Sequence, residues 1–179
     1  ESTEGAAEST GTSVESTEAG NAGTQQENGD VASALQSAKK AVTDALGDDY
    51  WPDSEIPEEM LNETYGVSAD LYDAYLGECP MISVNVDTLL IIHAKDGKVE
   101  DVENALNAYG DSLVNDTMQY PMNLGKIQAS RVERIGDYVC FVQLGADISS
   151  VEEQGDEAVI TYCQEQNELA LEAVRQTLE

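Results

Sequence analysis

A chain of 179 residues with 36 acidic and 8 basic side chains carries a formal net charge of −28. A field of that sign repels nucleic-acid phosphates and anionic lipid headgroups, which sets aside DNA, RNA and direct headgroup binding. No apolar run approaches the ~20 residues of a membrane-spanning helix, and the acidic balance is read first as a solvated surface.

Residues 1–30 hold one large apolar side chain, Val14, and neither Lys nor Arg. They repeat Glu-Ser-Thr at a spacing of seven, at Glu1–Thr3, Glu8–Thr10 and Glu15–Thr17. Such a segment buries too little apolar surface to offset its ordering entropy, and the repeat lacks the apolar positions of a coiled coil. It is expected to be a disordered acidic linker. Residues 31–179 are expected to form a single domain, long enough for a real core. The first residue is Glu1 rather than Met, as in a processed chain, so the lack of a signal peptide says nothing against export.

Asp30 is a fitting N-cap for a helix with Val31, Leu35, Ala38, Val42 and Leu46 on one stripe, ended by Gly47. A loop follows from Asp48 to Pro57. Two short helices are then expected. One spans Pro57–Tyr65 and stops at Gly66; the other starts at Ser68 and carries Leu71, Tyr72 and Tyr75. Gly77-Glu78-Cys79-Pro80 reads as a turn. Ile82, Val84 and Val86 alternate with Ser83, Asn85 and Asp87, the pattern of a strand with one wet face. Leu89-Leu90-Ile91-Ile92 loses the alternation, as a strand buried on both faces does.

After a turn at Lys95–Lys98, the residues Val99, Val102, Leu106, Tyr109 and Leu113 mark the clearest helix. Ile127–Ile135 and Tyr138–Leu144 read as strands joined by a type II′ turn at Gly136-Asp137. The last helix opens on a capping box, Ser150-Val151-Glu152-Glu153. It runs on through Val159, Cys163, Ala170, Val174 and Leu178, with a break near Gly155. The expected fold class is α+β: N-terminal helices, then strand-helix-strand-strand-helix. The result is a small, at least partly antiparallel sheet packed by helices.

The sequence has no Walker phosphate loop, dinucleotide glycine fingerprint, nucleophile elbow, His-Glu-x-x-His or Cys-x-x-Cys motif. No catalytic, cofactor-binding or metal-binding residues are therefore assigned. His93, the only histidine, is the one candidate functional polar residue, and a structural role at the strand end is its first reading. The carboxylates Asp48, Asp49, Asp53, Glu55, Glu58 and Glu59 fail the EF-hand pattern, because prolines interrupt them and the required glycine is missing. Cys79, Cys140 and Cys163 are read as buried free thiols, with one bridge plus one free thiol as the alternative. Tyr50, Trp51, Tyr65, Tyr72 and Tyr75 gather before the sheet. Packing at the edge of a core accounts for them first, and a partner or ligand surface second.

Six short runs, taken in order and spacing, resemble a domain-of-unknown-function family. They are Tyr50-Trp51-Pro52-Asp53, Tyr65-Gly66-Val67, Pro80-Met81-Ile82, Ala94-Lys95-Asp96-Gly97-Lys98, Tyr120-Pro121 and Gly136-Asp137-Tyr138-Val139. The resemblance runs from Val31 to Leu144. Family members are small secreted lipoproteins of Gram-positive, often anaerobic bacteria, with no established activity. The resemblance thus implies a signal peptide and a lipidated cysteine upstream, a polar linker, and a domain held outside the cytoplasmic membrane by its N-terminal lipid.

The leading expectation is a non-catalytic envelope lipoprotein domain that binds an unknown protein or envelope ligand, or organises the surface. It needs no cofactor, and it touches the membrane only through the implied anchor. It requires an exposed apolar patch near Tyr50 and Trp51 or on an open sheet face. One alternative is an extracellular hydrolase or transferase with an unfamiliar carboxylate and Tyr site; its His93 version requires an Asp, Glu, Tyr or Cys within hydrogen-bond reach. A cation- or solute-binding module is the other.

Overall fold

The computed structural model describes residues 21–82 and 84–179, with side chains from Asn28 onward. The linker expected over residues 1–30 falls largely outside that range. The first helix, α1 (Asn21–Leu46), starts ahead of the expected cap at Asp30. No proline precedes Asp30, and Ala22, Gln25, Gln26 and Glu27 are all compatible with a helix. Its expected stripe is buried at Leu35, Ala38, Val42 and Leu46. A 3-10 turn, Gly47–Asp49, leads to the short edge strand β1 (Ser54–Glu55) and to α2 (Glu58–Glu63). Gly66, at φ +72°, takes the chain out of α2.

The remaining elements are β2 (Tyr72–Cys79), β3 (Thr88–Ala94), α3 (Val99–Asn115), α4 (Leu124–Ala129), β4 (Arg131–Ile135), β5 (Tyr138–Gln143), α5 (Ser149–Glu152) and α6 (Asp156–Leu178). The strands form one sheet in the order β1-β2-β3-β5-β4, and every neighbouring pair is antiparallel. Helices α1 and α6 cover one face, where Leu35, Val42, Leu171 and Val174 meet Leu89, Ile91, Cys140 and Val142. Helices α2 and α3 cover the other, where Leu61, Val102 and Leu106 meet Leu90, Ile92, Val139 and Phe141. The protein is α+β, with the middle strands β3 and β5 buried on both faces. That double burial is why Leu89–Ile92 shows no alternation.

Five local expectations are corrected. The segment carrying Tyr72 and Tyr75 is strand β2, not a helix, and Gly77–Cys79 belongs to that strand rather than to a turn. A bulge between Tyr72 and Ala74 shifts the register by one residue. It brings Tyr72 and Tyr75 onto the same core face, with their rings edge-to-face at 5.6 Å. Three-residue spacing on one face then imitates a helical period.

Ile82, Val84 and Val86 form no strand. The backbone there is satisfied by side chains: Asn123 Nδ2 donates to the Val84 carbonyl at 3.1 Å, and Gln143 Nε2 donates to the Val86 carbonyl at 2.8 Å. Ile127 lies in α4 rather than in a strand, which starts only at Arg131. The reason is packing. Gly125 lets α4 sit directly on α6, so close that a Cβ there would lie 2.5 Å from Val159 Cγ1. The capping box at Ser150 does not form. α5 begins at Ser149 without a side-chain cap, and Gly155 at φ +101° breaks the helix as expected.

All three cysteines are free; Cys140 and Cys163 are buried and Cys79 is partly exposed. Burial pushes the Cys140 thiol up to about 12 and the Cys163 thiol up to about 11, and it also raises Cys79, with Asp53 adding to the shift. The thiolate is the nucleophile, so a raised pKa lowers reactivity at neutral pH. Iodoacetamide at pH 8 is expected to label Cys79 slowly and the other two only on unfolding, with all three rates converging in urea. Mass spectrometry of native and urea-treated samples reads this directly.

Candidate functional site

Where β3 begins and β5 ends, a charged pair is built into the core. Asp87 is fully buried and Lys126 retains 4% exposure. Lys126 Nζ donates to Asp87 Oδ1 at 2.5 Å, to the Ala146 carbonyl at 2.8 Å and to Asn85 Oδ1 at 3.3 Å. An ammonium has three protons, and all three have acceptors here. Asp87 Oδ2 accepts the Gly145 and Ala146 backbone N–H groups at 3.2 and 2.8 Å.

Ala146, at φ +46°, is the only non-glycine in the left-handed region among the described residues. The aspartate thus holds a strained turn after β5 in place. Gly145 is needed for the close fit, since a Cβ would meet Cys163 Sγ at 2.7 Å and Lys126 Cε at 3.1 Å. The pair is a buttress in which the three ammonium protons and both carboxylate oxygens have partners.

In front of that buttress lies a groove with two lobes. The first, of about 280 Å³, is lined by Trp51, Val84, Met122, Ala146 and Ile148, with Lys126 behind. Lys126 Nζ sits 5.3 Å from the Trp51 ring centroid, close enough to orient the indole by a cation–π contact. The second lobe, of about 310 Å³, adds Leu124, Gly125, Val159 and Ile160. Met122, Ile148 and Glu152 line both lobes, which therefore adjoin.

Exposed apolar side chains concentrate here. Trp51 (41% exposed), Val84, Met122 (54%) and Leu124 line the lobes, and Met81, Ile82, Met118 and Tyr120 are exposed in the segments that adjoin them in sequence. Isolated exposed hydrophobes are ordinary; a set that lines two adjoining lobes marks an interaction surface.

The family model described as Domain of unknown function (DUF4358) matches residues 45–144. The chain belongs to that family. No curated protein and no solved structure gives a match. The DUF4358 segment carries Trp51, Val84, Asp87, Met122 and Lys126. The opposite wall of the groove, from Ala146 to Ile160, lies beyond the end of the match.

Within this DUF4358 protein the aromatic residues singled out in the sequence do not form one surface. Tyr65 and Tyr72 are buried. Tyr65 stacks against Tyr109 and Phe141, and Tyr72 donates to Glu58 at 3.2 Å. Tyr75 donates to the Ile56 carbonyl at 2.8 Å. Tyr50 donates at 2.6 Å to Glu78, which also pairs with Lys39; burial first, then Glu78, raises the Tyr50 phenol well above its usual range. Trp51 alone of the five faces the groove.

His93 lies at the other end of β3, its ring 4.9 Å from Tyr138. Its nearest carboxylate, Asp73 Oδ2, is 3.7 Å from Nδ1, and Nδ1 has no hydrogen-bond partner. The reach required by the His93 version of an enzyme is not met. Among the described residues, no three His, Cys, Asp or Glu side chains converge as metal ligands do. The six carboxylates from Asp48 to Glu59 spread over the 3-10 turn, the loop after it, β1 and α2, and Asp53, in that loop, accepts the Met81 N–H at 2.8 Å. Met122 and the Asp87–Lys126 pair carry no local signal in the sequence that marks them as part of a site.

Proposed function

We propose that this DUF4358 domain is a non-catalytic binding module that captures an apolar segment of a partner protein in the two-lobed groove. The observation that carries this reading is a pair of adjoining lobes lined by the exposed Trp51, Met122 and Leu124 side chains. The proposal includes display outside a Gram-positive cell on an N-terminal lipid anchor. Support for the anchor comes from the resemblance to secreted lipoproteins and from the polar Glu-Ser-Thr lead-in.

The placement of α1 fits that address. Its 26 residues span about 39 Å at 1.5 Å per residue. Near its start, Asn28, Asp30 and Val31 sit beside His93 and Asp137; its end leads through Gly47–Asp49 to Trp51 at the groove. The start of α1 therefore lies toward the end of the sheet remote from the groove. A domain tethered there presents the groove outward.

The test places a photo-crosslinking residue at Met122 or at Leu169, which is 49% exposed on α6 away from the groove. The full-length protein is used in its native envelope. A discrete protein adduct from position 122, none from position 169, and loss of the adduct on Trp51→Ala are the expected results. Partition of the full-length protein into the detergent phase reports the anchor. Equal labelling at both positions, or none at 122, overturns the binding reading, and recovery in the aqueous phase overturns the anchor.

A further inference from the structure

We infer that the segment held in the groove is a cationic one, an apolar stretch of a partner protein interspersed with lysine or arginine. The inference rests on the binding reading above and deepens it. The walls of the two lobes carry three carboxylates, Asp147, Glu152 and Asp156. Against them stands one cation, Lys126, whose three protons are all taken by Asp87, Ala146 and Asn85.

The other seven basic residues are elsewhere: Lys39 pairs with Glu78, Lys40 with Asp44 and Lys98 with Asp101, while Arg131 and Arg175 share Glu133 and Glu168. Lys95 donates to the Ala69 carbonyl and Arg134 to the Gly136 carbonyl. None of these seven lines either lobe. The groove therefore combines apolar side chains with three carboxylates in its lining and has no free positive charge among the described residues.

Three physical consequences favour a basic-apolar segment over other occupants. An acidic peptide would face three carboxylates with no cation to answer it. An anionic bilayer meets the same repulsion, reinforced by the net charge of −28 over the whole chain. A lysine or arginine side chain, by contrast, lays its methylene stem on Met122 or Ile148 while its head reaches Glu152, which borders both lobes. Methionine suits such a lining because its flexible thioether adapts to stems of different shape. The field of the whole molecule speeds the encounter.

The chain's single tryptophan lies in the first lobe and serves as an intrinsic reporter. The full chain is titrated with three synthetic peptides of equal apolar content, in which the polar positions are all Lys, all Gln or all Glu. The lysine peptide is expected to shift Trp51 emission to the blue saturably and to bind about tenfold more tightly than the glutamine peptide. The glutamate peptide is expected to be weakest. Glu152→Gln should weaken the lysine peptide about fivefold and leave the glutamine peptide unchanged, and added salt should erode the difference.

Equal binding of the lysine and glutamine peptides overturns the cationic inference while the groove reading survives. A shift produced by anionic or zwitterionic vesicles but by none of the peptides makes the groove a lipid surface and overturns the inference. If no peptide shifts Trp51 while position 122 still crosslinks to a partner, the cationic inference falls and the binding reading stands.

Discussion

Asp87→Ala is expected to destabilise the protein by about 3–5 kcal/mol, the usual cost of leaving one member of a buried ion pair behind. For a domain of this size that corresponds to a fall in Tm of roughly 6–20 °C. The Lys126 ammonium loses its counter-charge while keeping the Ala146 carbonyl and Asn85, and the Gly145 and Ala146 amides lose their acceptor. The turn at Ala146 is then left at φ +46° without the carboxylate that holds it there. Lys126→Met should cost less, because the stem still packs on Gly145 and the two amides still bind the carboxylate. Combining Asp87→Ala with Lys126→Met should recover part of the loss, since no unpaired charge is left. A coupling energy of at least about 1 kcal/mol is expected from urea unfolding of the four proteins. Additivity within about 0.5 kcal/mol would mean that the two side chains do not act as a pair.

This pair also explains why the groove is hard to read from the sequence. Asp87 sits in a run that alternates like a half-wet strand, and Lys126 sits between apolar residues 39 positions away. Nothing local links them. The acids of the lining, Asp147, Glu152 and Asp156, are likewise lost among the 36 of the whole chain. Trp51 is legible as an aromatic in a proline-broken loop. Its companions in the groove are a methionine, a valine and an isoleucine from other segments, and only the tertiary fold brings them together.

The architecture is more legible, and the misreadings have definite causes. Helix α3 repeats its apolar positions over four turns, so periodicity alone locates it. The run Leu89–Ile92 announces burial on both faces because polar residues are missing from either side. Gly136, at φ +58°, marks the β4–β5 hairpin, where Ile135 pairs with Tyr138. Strand β2 misleads because one bulge converts a period of two into an apparent period of three across Tyr72 and Tyr75. Residues 82–86 mislead for the opposite reason. They alternate like a strand, yet the Val84 and Val86 carbonyls are taken by the Asn123 and Gln143 side chains rather than by a neighbouring strand.

Phe141→Ala is expected to cost about 3–5 kcal/mol by cavity formation, the second large effect. The chain's only phenylalanine is fully buried on β5, with the Tyr109 ring 5.4 Å and the Tyr65 ring 6.4 Å away. The tyrosines are themselves 4.4 Å apart, so the three rings form one cluster between the sheet and α3. Removing the phenyl ring also removes its edge-to-face attraction to both tyrosines, which adds to the cost of the cavity. Phe141→Leu should cost about 1–2 kcal/mol, because most of the volume remains. Met118→Ala, at an 87% exposed position, should stay within about 0.5 kcal/mol of the parent. If Phe141→Ala proved no costlier than Met118→Ala, the ring cluster would not be part of the core's stability. The groove rests on the Asp87–Lys126 buttress rather than on this cluster, so below its unfolding midpoint Phe141→Ala should leave the Trp51 emission maximum unchanged. A red shift at temperatures where the variant is folded would instead show that the two faces of the sheet are coupled.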